Sequence, residues 1–217
     1  MITLYHTPLS INSRRVWVTL IEKGLTFELK EISLTGEQFT PEFLALNPFH
    51  HIPVLVDGDN TVIESFAMLD YLEAKYPTPA LMPPQPDAIA RVRMVQMVTL
   101  NEFLPATLPL SMKALFGKDD PEAVAQAHEK AAVVFKFWAQ QLGEDEFFGG
   151  HQLTLADIVS GTIAAWFPEM ELSLAEYPTL QAWRQRLMER PAWQQTQVSQ
   201  AELEAFKARM RQQMAGK

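Results

Sequence analysis

Hydrophobic positions follow one pattern through the first third of the chain and another afterwards, with a proline-rich break between them. Up to Tyr76 the elements alternate in type. Ile2–His6 reads as a short apolar strand, and Ser13–Lys23 as a helix with Val16, Leu20 and Ile21 on one side and Gly24 just past its end. Phe27–Ser33 sets Phe27, Leu29 and Ile32 against Glu28, Lys30 and Glu31, which predicts a second strand. Phe39–Leu46 reads as a short irregular helix. Val54–Val56 and Thr61–Ile63 flank Asp57-Gly58-Asp59-Asn60, a hairpin signature, and Phe66, Leu69, Tyr71, Leu72 and Tyr76 then mark a helix. The order β-α-β-α-β-β-α predicts a small α/β domain over residues 1–76 with a mixed sheet.

Residues 77–86, PTPALMPPQP, hold five of the fifteen prolines and read as a stiff linker. Residues 87–217 are then expected to form an all-helical domain. Asp87–Phe116 is one long pattern bent near Pro105 and Pro109. Pro121–Leu142 carries Val124, Ala127, Ala131, Val134, Phe135, Trp138 and Leu142 on one stripe. Thr154–Trp166 repeats that pattern, Leu180, Trp183 and Leu187 mark a further helix ending at Arg190-Pro191, and Ser199–Met214 closes the series. Thr154 and Asp157 form a capping box, with Leu153 and Ile158 at the staple positions. That motif is a folding device with no functional meaning.

Composition narrows the chemistry. A formal charge of −8 and a pI near 5.1 argue against nucleic acid as a partner, since phosphate affinity needs a basic face. The chain has no cysteine, which excludes disulfides, thiolate metal sites and a cysteine nucleophile. Its five histidines show no ligand spacing beyond the His50-His51 pair, so no metal is expected. No apolar run is long enough for a membrane span and no signal pattern opens the sequence, so a cytoplasmic location is expected.

Residues 51–65, HIPVLVDGDNTVIES, offer the most chemistry. Ser65 falls at the expected N-cap of a helix, where free backbone N–H groups favour an anion. Met68 at N3 leaves that hydroxyl without a capping-box partner, and Glu64 beside it suits an ammonium. Together they suit the backbone end of an amino acid, although a plain capped hairpin has the same sequence. Pro53 donates no hydrogen bond at the strand entry. If its bond to Ile52 is cis, the Ile52 backbone is free to pair with an extended peptide.

Both domains resemble the cytosolic glutathione transferases, most closely the serine-type classes (phi-, theta- or zeta-like, bacterial or plant-like). The resemblance runs through Pro8-Leu9-Ser10, Ser13-Arg14-Arg15-Val16, Glu22-Lys23-Gly24, Asn47-Pro48-Phe49, Ile52-Pro53-Val54-Leu55 and Glu64-Ser65. It continues through Leu153–Ile158 and Tyr177-Pro178-x-Leu180-x-x-Trp183. It implies a thioredoxin-like N-terminal α/β domain, an all-α C-terminal domain and glutathione as co-substrate. Ser10 would donate a hydrogen bond to the glutathione sulfur at the start of the first helix. Glu64 and Ser65 would hold the γ-glutamyl end, Ile52 with cis Pro53 the cysteinyl backbone, and Gln38 and His51 the glycyl carboxylate. His51 departs from the more usual Lys or Gln, and a protonated His51 would lose its grip as pH rises.

Ser13 and Tyr5 are the other hydroxyls near the catalytic loop, and Ser13 reads more naturally as the cap of the first helix. Arg14 and Arg15 read as structural or surface groups that can add positive potential. Leu9, Phe103, Leu108, Met112 and Trp166 (with Phe167 beside it) are candidates for an electrophile pocket, although methionines and aromatics at helical spacing are usually core. Phe49 is either local core or an apolar key into the second subunit of a homodimer. The expected activity is conjugation of glutathione to hydrophobic electrophiles, as in detoxification. The alternatives are a glutathione-dependent isomerase or peroxidase, and a non-catalytic binding or stress protein of the same fold.

Overall fold

Alternation along β1 (Ile2–His6) sends Ile2 and Leu4 to one face of the sheet and Tyr5 to the other. In the computed structural model, which describes residues 1–215, this strand is central. It pairs in parallel with β2 (Phe27–Glu31) and antiparallel with β3 (Val54–Asp57), which turns back into β4 (Asn60–Ile63). The sheet order is β2-β1-β3-β4. Gly58 turns the hairpin at a φ of 63°, in the region glycine enters most easily. On one face Ile2, Leu4 and Leu55 pack with Val16 and Leu20 of α1 (Ile11–Glu22) and Met68 and Leu72 of α3 (Ser65–Lys75). On the other, Val54, Ile32 and partly buried Tyr5 pack with Phe43 of α2 (Pro41–Leu46), which Thr40 caps.

The chain divides into two compact units, Met1–Leu81 joined by Pro191–Thr196, and Met82–Arg190 with the chain from Gln197 on. The second is helical. α4 (Pro86–Val98) runs into a π-helical turn at Thr99–Phe103, then α5 (Leu104–Ala106) and α6 (Leu108–Phe116). The sequence predicts one bent helix there, and the structure shows how the bend is made. Pro105 cannot follow an ideal turn because its ring meets the carbonyl four residues earlier. The backbone widens instead, and the Leu104 N–H donates to the Thr99 carbonyl five residues back. α7 (Pro121–Leu142) buries the predicted stripe from Ala127 to Leu142. α8 (Leu155–Ala164) and α9 (Pro178–Met188) follow, and an aromatic cluster of Phe103, Phe135, Trp138 and Phe167 fills the core of this unit.

After α9 the structure departs from the sequence reading, in which residues 87–217 form one helical domain. The short α10 (Pro191–Gln195) clusters with the first unit. Arg14 explains its position, because Nε donates to the Thr196 hydroxyl and Nη2 to the Trp193 carbonyl, each at 3.1 Å. A guanidinium at the C-terminal end of a helix satisfies carbonyls that have no partner within it. α11 (Gln200–Ala215) completes the chain, and the last two residues of the expected domain lie outside the described residues.

Candidate active site

The first helix starts two residues earlier than its apolar pattern suggests, and that decides which serine caps it. Ser10 is the N-cap, in extended conformation, and its Oγ accepts from the Ser13 N–H at 3.1 Å. A hydroxyl that accepts from the backbone still has its own proton to donate. The first turn of α1 holds no acid, so the positive end of the helix has no carboxylate of its own. Ser13 is therefore not the cap. It lies inside the first turn, is 1% exposed, and its hydroxyl accepts weakly from the Thr7 N–H at 3.5 Å. Tyr5 packs edge-on against Phe43, on the face opposite α1, and its hydroxyl accepts from Lys30 at 3.5 Å.

The start of α3 also shifts by one residue. Glu64, not Ser65, is the N-cap, with a φ of 68° and a ψ of 115°. A non-glycine residue at positive φ is sterically disfavoured, and such residues concentrate at functional sites. Ser65 becomes the first helical residue and is 7% exposed. No side chain caps this helix and its first turn holds no acid. The Ile52–Pro53 bond is cis. Ile52 lies just beyond the ladder, whose last rung joins Val54 to Tyr5 on one side and Ile63 on the other.

Two residues expected at the glycyl end are tied into loops. Gln38 lies in a single 3-10 turn (Glu37–Phe39), where its Oε1 accepts from Gly36 and its Nε2 donates to the Leu34 carbonyl. One amide proton remains to it. His51 is exposed, and its carbonyl accepts from Asn47 Nδ2 at 2.8 Å while Asn47 Oδ1 accepts from the Phe49 N–H. Asn47 thus sets the 47–51 turn. Its role is unreadable from composition, and the Asn47-Pro48-Phe49 string is its only sequence signal. The His50 ring lies tilted against Phe39 and edge-on to His51. His50 itself has a φ of 50°.

The electrophile candidates separate by burial. Phe103 is fully buried in the aromatic cluster and is core. Leu108 is 57% exposed, and Met112 lies one turn further along α6 and is half-buried. Trp166 and Leu9 are also half-buried. Phe167, beside Trp166, belongs to the core. Among the described residues no group of three or more His, Asp or Glu side chains is placed to hold a metal. No described helix is long and apolar enough to cross a membrane.

The two arginines of α1 differ sharply. Both are buried, and burial lowers each guanidinium to about 10. Arg14 is bonded to α10. Arg15 is fully buried, and among the described residues none of its three side-chain nitrogens has a hydrogen-bond partner.

Comparisons with known proteins agree with the fold. The N-terminal domain profile of the glutathione S-transferases matches residues 4–80, and the C-terminal domain profile matches residues 70–191. Glutathione S-transferase 3 of Zea mays is 36% identical over 204 residues, covering 89% of this chain and 91% of the relative. A solved structure of glutathione S-transferase I bound to lactoylglutathione superposes with a TM-score of 0.81 at 29% identity, over 90% of this chain and 97% of that one. The theta-class enzyme of the citrus canker pathogen Xanthomonas axonopodis pv. citri, solved with glutathione bound, gives a TM-score of 0.80 at 30% identity, over 91% and 97%. With both domain profiles matched across most of the chain, this protein belongs to the glutathione S-transferase family.

Proposed function

We propose that the chain binds glutathione along the edge formed by Ile52-Pro53 and the start of α3, and activates its thiol at Ser10. A free thiol has a pKa of about 8.5, and lowering it by two units requires about 2.7 kcal/mol of preference for the thiolate. The start of α1 supplies this in two ways. The helix end favours negative charge, and the Ser10 proton makes a charge-assisted hydrogen bond to the sulfur. The observation that carries the reading is that Ser10 caps α1 through its oxygen while the first turn holds no competing acid. Ser10 is not a nucleophile, because the attacking sulfur arrives with the ligand.

Glu64 takes the γ-glutamyl ammonium, Ser65 and the uncapped turn behind it the α-carboxylate, and Gln38 and His51 the glycyl carboxylate. The thiolate then attacks an electrophilic carbon by substitution or conjugate addition. The rate gain comes from the activated sulfur and from holding two reactants together. Leu108, Met112 and Trp166 are the residues of the helical unit that we assign to an apolar electrophile, and Leu9 is the apolar neighbour of Ser10 in the first unit. Exposed Phe49 fits an apolar key in a homodimer. The working location is the cytoplasm, in detoxification.

The test follows the ultraviolet thiolate band of bound glutathione against pH in wild type and Ser10→Ala. Wild type should show the thiol titrating well below its free value. Ser10→Ala should lose most of that shift and about a hundredfold in turnover, the scale of one hydrogen bond to a developing charge. A wild-type thiol titrating at its free value would sink the reading.

A further inference from the structure

Arg15 carries a charge for which the described residues provide no partner. A guanidinium has five N–H donors and ordinarily finds carboxylates or carbonyls for them. Here Nε, Nη1 and Nη2 are buried and unpartnered, while the adjacent Arg14 makes two hydrogen bonds. Burial brings Arg15 only to about 10, so it is a cation at neutral pH. Its Cζ lies 5.1 Å from the centroid of the Phe66 ring, a cation–π contact that offsets part of the desolvation. Phe66 is the second residue of α3 and the neighbour of Ser65, in the turn that has neither a capping side chain nor an acid. A buried cation and a helix start therefore flank the same first turn, which holds no acid of its own and whose cap residue, Glu64, makes no side-chain capping bond.

We infer that Arg15 is a positioning residue, a fixed buried counter-charge whose field draws the α-carboxylate of the γ-glutamyl unit onto the first turn of α3. The inference rests on the reading that Glu64 and Ser65 take that end of glutathione. In a water-poor interior a charge acts beyond hydrogen-bond distance, so Arg15 need not touch the ligand.

The experiment compares glutathione with 4-aminobutyryl-cysteinyl-glycine, the same tripeptide without that carboxylate. Calorimetric affinities are measured for wild type, Arg15→Gln and Arg15→Lys, with thermal melts alongside. Wild type should prefer glutathione. Arg15→Gln should lose about tenfold of that preference, with the analogue bound within about twofold of wild type, and Arg15→Lys should keep it. If Arg15→Gln weakens both peptides alike and leaves the preference intact, the guanidinium only packs α1 against α3 and the inference is overturned. If Arg15→Gln does not fold, the decision passes to Arg15→Lys, where a folded protein without the preference overturns it equally. Wild type binding both peptides alike would instead remove the assignment of the carboxylate to α3.

Discussion

Among the helices that begin at a hydroxyl residue, α1 and α8 have beginnings that are chemical opposites. At the start of α8 the chain brings its own anion. Asp157 is fully buried and accepts from the Thr154 N–H and hydroxyl, the Phe148 N–H and the Trp183 indole at 2.7–3.0 Å. Burial pushes its carboxyl above the ordinary value, against the pull of those donors. At the start of α1 there is no such group, and Ser10 caps the helix with an oxygen while keeping a proton. A helix end that supplies its own carboxylate is closed and serves folding. One that omits it leaves its N–H groups open to an anion from outside.

The sharpest way to break this contrast is to close α1 as α8 is closed. Ser10→Asp should keep or improve the cap but set a carboxylate where the thiolate must form. Two like charges about 4 Å apart at an effective dielectric of about 20 repel by about 4 kcal/mol, so turnover should fall by about a thousandfold with the melting temperature unchanged or higher. Steady-state kinetics and a thermal melt together check it, and an active Ser10→Asp enzyme contradicts the receptor reading.

Opening α8 should do the reverse. Asp157→Ala leaves buried donors unsatisfied and should cost about 3 kcal/mol in urea unfolding, while the affinity of whatever enzyme remains folded for glutathione stays at the wild-type value. A second built-in anion, Asp57, extends the comparison to the far end of β3. Burial pushes its carboxyl up, but bonds from Lys75, Tyr76 and Tyr71 outweigh this and hold it below the ordinary value. Its contribution is therefore present above the unfolded value near pH 4 and lost as pH falls through the folded one. Asp57→Asn should cost about 1 kcal/mol at pH 7, and the gap to wild type should close in urea melts run near pH 2. Thr154→Ala should cost about 1 kcal/mol or more of stability with kinetics unchanged.

Much of this was legible in the residues. Period and punctuation predict β1, β3, β4 and α7 within a residue or so. The α8 box is read from Thr154 and Asp157 alone, because a cap needs only partners three residues apart. The α1 cap was harder. Ser10 and Ser13 stand three residues apart, and the apolar pattern that marks the helix begins only at Val16. The choice between them falls to the Thr7–Ser10 turn, closed by the Ser10 N–H on the Thr7 carbonyl. Glu64 for Ser65 is the same kind of error, since sequence reasoning does not place a glutamate at positive φ.

By itself, then, the sequence determined what is local or compositional: the alternation of strands and helices, the absence of any protein thiol, the α8 cap and the short strings shared with the family. Only the tertiary structure decided which serine heads α1, that Tyr5 faces away from it, that α10 returns to be held by Arg14, and that Arg15 is buried with no hydrogen-bond partner among the described residues. Each of those depends on groups far apart in the chain or on opposite faces of a sheet. Periodicity records which face a residue prefers, but not what it meets there.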